Sequence, residues 1–430
     1  MDSRPSVVLL LGCLVACSNS ASPSDASGSG GPSGAGASAG GGAGASAGGG
    51  AGANASQGEA GAGNAGAGAV GGSTTGPGGG SGGVIAAAGA PAACPASDVG
   101  NTATGKDATS AGAVTSYTYT NVGGAGKYQK IVQGWSKAYN NCAGDSDGTL
   151  CNTVYKQEIS VNAPLAPFNE EQSLVFSGQT EIYQLGVYYP SGESWQRAAY
   201  WDRCVTQGLA FTGNKHRYEC NGFVQSYVIA DGTKESPTPV QFSGVVPGGT
   251  EVNVFAATPC TGVTQGSDCG WSDGAASLHG FAGDAQGNKI FAVKFRMPQS
   301  DQSPSYWILP SQVLRTSQYG CNCRTTGAVG CGSAYKGGCG ELDVIELVGS
   351  DPAALLQSTS IYSFQACYGG VGKWDRPAHE SAIFLVIFDA ADKQIAIRRL
   401  PASGFDFGGS ITNATVATWL AMPGGSKAMP

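Results

Sequence analysis

Long stretches of this chain lack the side chains that build a core. From Ser18 to about Ala90 there is no aromatic residue, no lysine and no arginine. Gly, Ala and Ser dominate, and Gly34–Gly41 (GAGASAGG) recurs as Gly42–Gly49. Such a segment buries too little apolar surface to offset its ordering entropy, so disorder is expected. As a flexible tether it would reach about 50 Å end to end. Basic residues are also scarce, 23 Lys and Arg against 30 Asp and Glu for a net charge of -7, which argues against nucleic acid as a partner. After the first 16 residues no apolar run is long enough to span a bilayer. No amphipathic pattern supports a helix longer than about three turns. Nothing resembles an acidic calcium loop of the EF-hand kind.

What is present begins with an export signal. Arg4 precedes the apolar run Val7 to Ala16, too short for a transmembrane helix and typical of a secretion signal. It ends in Leu14-Val15-Ala16-Cys17, which looks like a bacterial lipobox and makes Cys17 the expected site of lipidation. An ordinary signal peptide, cleaved without lipidation, is the alternative. The expected organisation is a signal over 1–16, a lipidated Cys and tether over 17–93, a β-rich segment over 94–163 and a catalytic domain over 164–430. The protein would sit on a cell surface or outer membrane, anchored by its lipid and facing an oxidising compartment.

Twelve cysteines lie in the folded part, from Cys94 to Cys367. An even number on an exported chain argues for disulfides. Short spacings suggest the pairs 142–151, 204–220 and 260–269. Cys321, Cys323, Cys331 and Cys339 are crowded enough to consider zinc, but they lack the paired C-x-x-C spacing of structural sites.

Strand signals dominate after Cys94. Ser116–Thr120, Thr180–Tyr189, Phe223–Ile229, Glu251–Ala256, Lys289–Arg296 and Ser305–Leu309 are β-rich or alternating, with Gly, Pro, Asn and Asp turns between them. Ala382–Asp389 and Gln394–Leu400 read as a hairpin across Ala390–Lys393. This pattern predicts an all-β fold, a jelly-roll sandwich whose concave face forms a cleft.

One strand pattern is electrostatically odd. Glu341-Leu342-Asp343-Val344-Ile345-Glu346 places three carboxylates among aliphatic residues that favour a strand. Alternation puts Glu341 and Asp343 on one face and Glu346 on the other. One extra residue at Val344-Ile345, a β-bulge, returns Glu346 to the carboxylate face. Like charges so aligned shift one another's pKa, which marks a candidate active site. Aromatics nearby in sequence, Trp307 and Tyr319 with Trp374 further on, have flat faces that suit sugar rings. Core packing is the competing role for Trp307, and Trp374 lies in a turn-rich stretch where exposure is expected. His279, beside a glycine, is a candidate cleft residue held by hydrogen bonds.

With these residues in view, the chain resembles a known family. Ser305-Tyr306-Trp307-Ile308-Leu309, Arg315-Thr316-Ser317-Gln318-Tyr319-Gly320 and Gly338 to Glu346 are similar to motifs of the fungal cell-wall proteins called target-of-SBF-type glycoside hydrolases. Pro164 to Glu171, His279-Gly280-Phe281, Phe295 to Pro298 and Asp375-Arg376-Pro377 have counterparts there too, so the resemblance covers nearly everything after the tether. The Glu-x-Asp-x-x-Glu strand is also similar to the bulged signature of glycoside hydrolase family 16. The resemblance implies a concanavalin-like jelly roll and a retaining endo-β-glucanase, with β-1,3-glucan as substrate. Related jelly rolls often carry a calcium remote from the cleft, but no cofactor or metal is expected here. Glu341 would be the nucleophile, Glu346 the acid/base and Asp343 the residue between them; Trp307, Tyr319, His279, Trp374 and Tyr362 would bind substrate. A monomer is expected.

The chain departs from the family at one place. Ser358-Thr359-Ser360-Ile361-Tyr362-Ser363 has no His where the fungal sequences carry one, leaving Tyr362 to take its role. Fewer than 90 residues follow Glu346, so part of the second sheet would have to come from residues 94–160. A non-catalytic β-glucan-binding surface protein is the main alternative to an enzyme, and a disulfide-knit adhesin is the other.

Overall fold

The structure is a computed structural model that describes residues 107, 109–131, 156–213, 227–228, 235–236, 239–259, 278–298, 303–312, 338–347 and 354–430. In chain order the first strands are β1 (Ser116–Thr120), β2 (Gly123–Ile131), β3 (Lys156–Pro164), β4 (Gln172–Ser177), β5 (Thr180–Ser191), β6 (Ser194–Asp202), β7 (Thr206–Gln207) and β8 (Leu209–Gly213). Next come β9 (Tyr227–Val228), β10 (Glu235–Ser236), β11 (Val245–Val246), β12 (Glu251–Ala256), β13 (Lys289–Arg296) and β14 (Ser305–Pro310). The last are β15 (Glu341–Glu346), β16 (Leu356–Tyr362), β17 (Cys367–Asp375), β18 (Ala382–Asp389), β19 (Gln394–Pro401), β20 (Ser410–Thr412), helix α1 (Asn413–Leu420) and β21 (Gly425–Ala428).

The fold is all-β, as the alternation in the sequence predicts. A ten-stranded sheet runs β20-β6-β5-β13-β18-β19-β1-β21, with β11 on β5 and β7 on β6. A nine-stranded sheet runs β10-β9-β8-β12-β4-β14-β15-β16-β17, and β2 and β3 form a separate hairpin. The two large sheets share one core. Val187, Phe291, Phe384 and Ile397 from the first meet Phe176, Tyr306, Ile308 and Leu342 from the second. The period of two is visible on β13, whose Phe291, Val293 and Phe295 enter this core while Ile290 and Ala292 join a second cluster on the outer face. That outer face is covered by Trp195, Phe407, Ile411 and Val416 of α1. Thr412 caps α1, its hydroxyl accepting from the Thr415 amide.

Part of the segment 94–160 joins the sandwich, as expected from the short C-terminal part. β1 lies within the large sheet, antiparallel to β19 and parallel to β21. The hairpin of β18 and β19 forms across Ala390–Lys393, with Asp389 opposite Gln394. Of the segment 223–229, Tyr227 and Val228 form a strand and the rest lies outside the described residues. The signal, the tether and Cys17 lie outside them as well.

Candidate active site

β15 is central in its sheet, between β14 and β16. Against β14, Ser305 pairs with Glu346 and Tyr306 with Ile345, and then Trp307 pairs with Asp343. Val344 has no opposite number. Against β16, Asp343 faces Ser360 and Glu346 faces Ser358, so Val344 and Ile345 together oppose Thr359. This is the bulge that the odd offset demanded. Its consequence is visible in the packing: Leu342, Val344 and Ile345 all lie in the intersheet core, two of them consecutive in sequence. Glu341, Asp343 and Glu346 therefore share the opposite face. Glu341 and Asp343 are only 4% and 2% exposed, and Glu346 is partly buried.

Register and alternation identify what else lines that face. Tyr362 lies opposite Glu341, Ser360 opposite Asp343 and Ser358 opposite Glu346 on β16; on β14, Trp307 is opposite Asp343 and Ser305 opposite Glu346. Val175 of β4 follows Trp307, and Asn253 of β12 follows Val175. The nine-stranded sheet thus has an apolar face in the core and a second face rich in carboxylates, hydroxyls and an amide. Trp307, 6% exposed, belongs to that second face and, among the described residues, is outside the clusters that hold Phe176, Ile290 and Phe255. Ser305, Ser358 and Ser360 were not singled out from sequence. Their even offsets from Trp307 and Tyr362 were the available signal.

The frame around β15 explains the glycines before it. Gly340 has φ +105, and a Cβ there would lie 2.9 Å from Cγ of Pro167 and 3.2 Å from the ring of Phe168. Only glycine allows the Pro167-Phe168 turn to approach the backbone beside Glu341 this closely. Cys339 and Cys367, which flank the β15 and β16 ends, are disulfide-bonded, as is Cys204. A bonded Cys339 has no thiolate to offer a metal. The pairs expected from short spacings each include at least one residue outside the described set.

The other expected site residues fare differently. Trp374 is a correction. It sits in β17, not in an exposed turn, opposite Gln357 on the core face, and its fully buried indole packs edge-on against Phe384 at 5.6 Å. The glycines around it occur within a strand, so their abundance did not mean exposure. His279 is engaged at the end of the sandwich: its Nδ1 lies 2.9 Å from Oε1 of Glu171, whose Oε2 accepts the Gly280 amide at 2.8 Å. Neighbouring Leu278 clusters with Ala210 and Phe255, whereas Phe281 enters the intersheet core. Tyr319 lies outside the described residues.

Comparison with known proteins agrees with this frame. The family model described as "Cell wall protein YJL171C/Tos1, C-terminal" matches residues 193–419, and its N-terminal companion matches residues 115–190. A Saccharomyces cerevisiae protein named "Probable circularly permuted 1,3-beta-glucanase TOS1" is 29% identical over 257 residues, 55% of this chain and 51% of that protein. Two Candida albicans proteins with the same "Probable circularly permuted 1,3-beta-glucanase" description, PGA52 and TOS1, are each 27% identical. They align over 57% and 62% of this chain and 65% and 56% of their own lengths. The chain thus spans about half to two thirds of the length of these three relatives. No solved structure matches. On the strength of a model covering more than half of its residues, the chain belongs to the YJL171C/Tos1 cell wall protein family.

Proposed function

We propose that this protein is a retaining endo-β-glucanase acting on β-1,3-glucan. The observation that carries the reading is the bulge in β15, which gathers Glu341, Asp343 and Glu346 on one buried face. Two carboxyl groups flanking a glycosidic bond are the chemical requirement for the reaction. Glu341 attacks the anomeric carbon and forms a glycosyl ester, while the C–O bond to the leaving sugar breaks. Glu346 gives its proton to the departing oxygen. Glu346, now a carboxylate, takes a proton from water, and the resulting hydroxide releases the sugar and regenerates Glu341. Asp343 between them hydrogen-bonds one of the two glutamates and helps to set its protonation state. The route calls for a carboxyl separation of about 5–5.5 Å, and a crystal structure with the two about 9 Å apart would exclude it.

Trp307, opposite Asp343, offers a ring face to a sugar beside the cleavage point. Tyr362, opposite Glu341, lies on the strand where the family carries a His and takes over contact with the nucleophile or the substrate. The names of the fungal relatives support the substrate class. A lipid on Cys17 would hold this domain at the cell surface as a monomer. Replacing Cys17 by Ala should release it from membranes.

The deciding experiment is laminarin digestion by wild type and Glu341→Gln. Wild type should release reducing sugar and Glu341→Gln should be inert while still binding glucan. If wild type binds glucan and releases nothing, the protein is a glucan-binding surface protein instead.

A further inference from the structure

The bulge in β15 creates a backbone problem whose solution draws on the neighbouring strand and on the other sheet. Where Val344 and Ile345 oppose the single residue Thr359, the ladder between β15 and β16 is interrupted. A buried carbonyl at such a break must find another donor. Thr359 Oγ1 supplies it, lying 2.7 Å from the carbonyl oxygen of Asp343. A hydroxyl has one proton. With that proton committed to Asp343, the 3.0 Å contact between Thr359 Oγ1 and the Tyr119 hydroxyl must run from Tyr119 to Thr359. Tyr119 belongs to β1, in the ten-stranded sheet, and its side chain crosses the core to reach this point.

The crossing is accommodated by its surroundings. Tyr119 and Thr359 are fully buried, and the Tyr117 ring meets that of Tyr119 edge-on at 5.3 Å. Gly372 lies opposite Thr359 on β17, where a Cβ would come within 2.7 Å of the Tyr117 ring and 2.8 Å of the Thr359 methyl. Burial raises the Tyr119 phenol well above its ordinary pKa, and the nearby Asp343 adds to this, so Tyr119 remains a donor wherever a glutamate titrates.

We propose that Tyr119 and Thr359 are positioning residues for the acid pair: a two-hydroxyl strut, one hydroxyl from the opposite sheet and one from the neighbouring strand, that fixes the Asp343 peptide at the bulge. That peptide lies between Glu341 and Glu346 in the chain, so its orientation sets their separation. The inference rests on the proposed hydrolytic roles of those two residues. Neither strut residue touches the reacting atoms.

Three variants test it: Thr359→Val, which keeps the shape and removes the hydroxyl; Thr359→Ser, which keeps the hydroxyl; and Tyr119→Phe. In Thr359→Val, kcat on laminarin should fall by up to about 100-fold with KM little changed. The alkaline limb of its pH profile should move to lower pH, because a more distant Glu341 raises the Glu346 pKa less. Thr359→Ser should restore most of kcat, and Tyr119→Phe should show a smaller loss of the same kind. Carboxyl titration in 13C-glutamate-labelled protein gives a readout independent of turnover: the two macroscopic steps should draw together in Thr359→Val and separate again in Thr359→Ser. Wild-type titration and kcat in Thr359→Val would overturn the strut, as would a Thr359→Ser as impaired as Thr359→Val. If Thr359→Val does not fold, Tyr119→Phe decides by the same criteria. If wild type cleaves no glucan, the hydrolase reading fails while the titrations still decide whether the strut sets the carboxyl separation.

Discussion

β13 and β15 are both central strands with almost every residue buried, yet they are built for different ends. β13 is apolar from Ile290 to Val293, and its three buried cations, Lys289, Lys294 and Arg296, lie outside that stretch. Lys289 donates to the carbonyls of Glu170 and Ala282, and Arg296 makes two bonds to the Glu181 carboxylate at 2.7 and 2.9 Å. β15 instead carries three charges of one sign on one face, beside hydroxyls and an indole, and needs a bulge to keep them together. Burial alone does not separate a stabilising strand from a chemical one. The alignment of all the like charges on one face does.

The sharpest way to break this contrast is to remove one of the aligned acids. Glu346→Gln keeps the bulge and the side-chain shape and takes away the proton donor. Glucan hydrolysis should then fall by the factor of about 10²–10⁴ that a general acid contributes. A folded Glu346→Gln variant retaining wild-type turnover would remove the chemical basis of the proposed site.

The two tryptophans sharpen the contrast between the faces of one sheet. Trp374, in the core, should cost about 3–5 kcal/mol of unfolding free energy when replaced by Ala, measured by denaturant titration. The KM of the folded fraction should not move. Trp307→Ala should do the reverse, raising KM several-fold, in line with about 0.5–1.5 kcal/mol for an aromatic contact, with a smaller effect on stability. An unchanged KM in Trp307→Ala would return that residue to a structural role.

The smallest expected effect concerns the core under alkali. Tyr306 is fully buried and stacks on Phe176 at 4.7 Å, and burial holds its phenol well above the ordinary value of 10.0. A phenol with a raised folded pKa binds its proton more tightly folded than unfolded. Its contribution is therefore complete below about pH 10 and declines as the pH rises above that toward the folded value. Denaturation midpoints should fall between pH 9 and pH 11, less steeply in Tyr306→Phe. Parallel slopes in the two proteins would contradict this assignment.

Much of this was legible in the chain. β1, β12, β13 and β18 occupy the segments that composition and alternation marked, because β-branched and aromatic residues at period two fit a pleated, half-buried surface. The bulge was legible too, since three acids at offsets of two and five cannot share a face without one extra residue. Trp374 was misjudged because Gly369, Gly370 and Gly372 looked like a turn. Gly372 instead makes room for the Tyr117 ring inside the sandwich, a packing reason that no local pattern displays. His279 was visible as a candidate, but its orientation toward Glu171 depends on a partner 108 residues away.

The sequence by itself determined the all-β class, the strand that carries the acids and the odd spacing that requires a bulge. These follow from alternation, charge and chain geometry, all local properties. Only the tertiary structure decided which sheet β1 joins, which face each tryptophan occupies and what satisfies the carbonyl at the bulge. The Tyr119–Thr359 contact joins residues 240 positions apart. Such contacts are set by how two sheets close on one core, and that closure is a cooperative outcome of the whole chain.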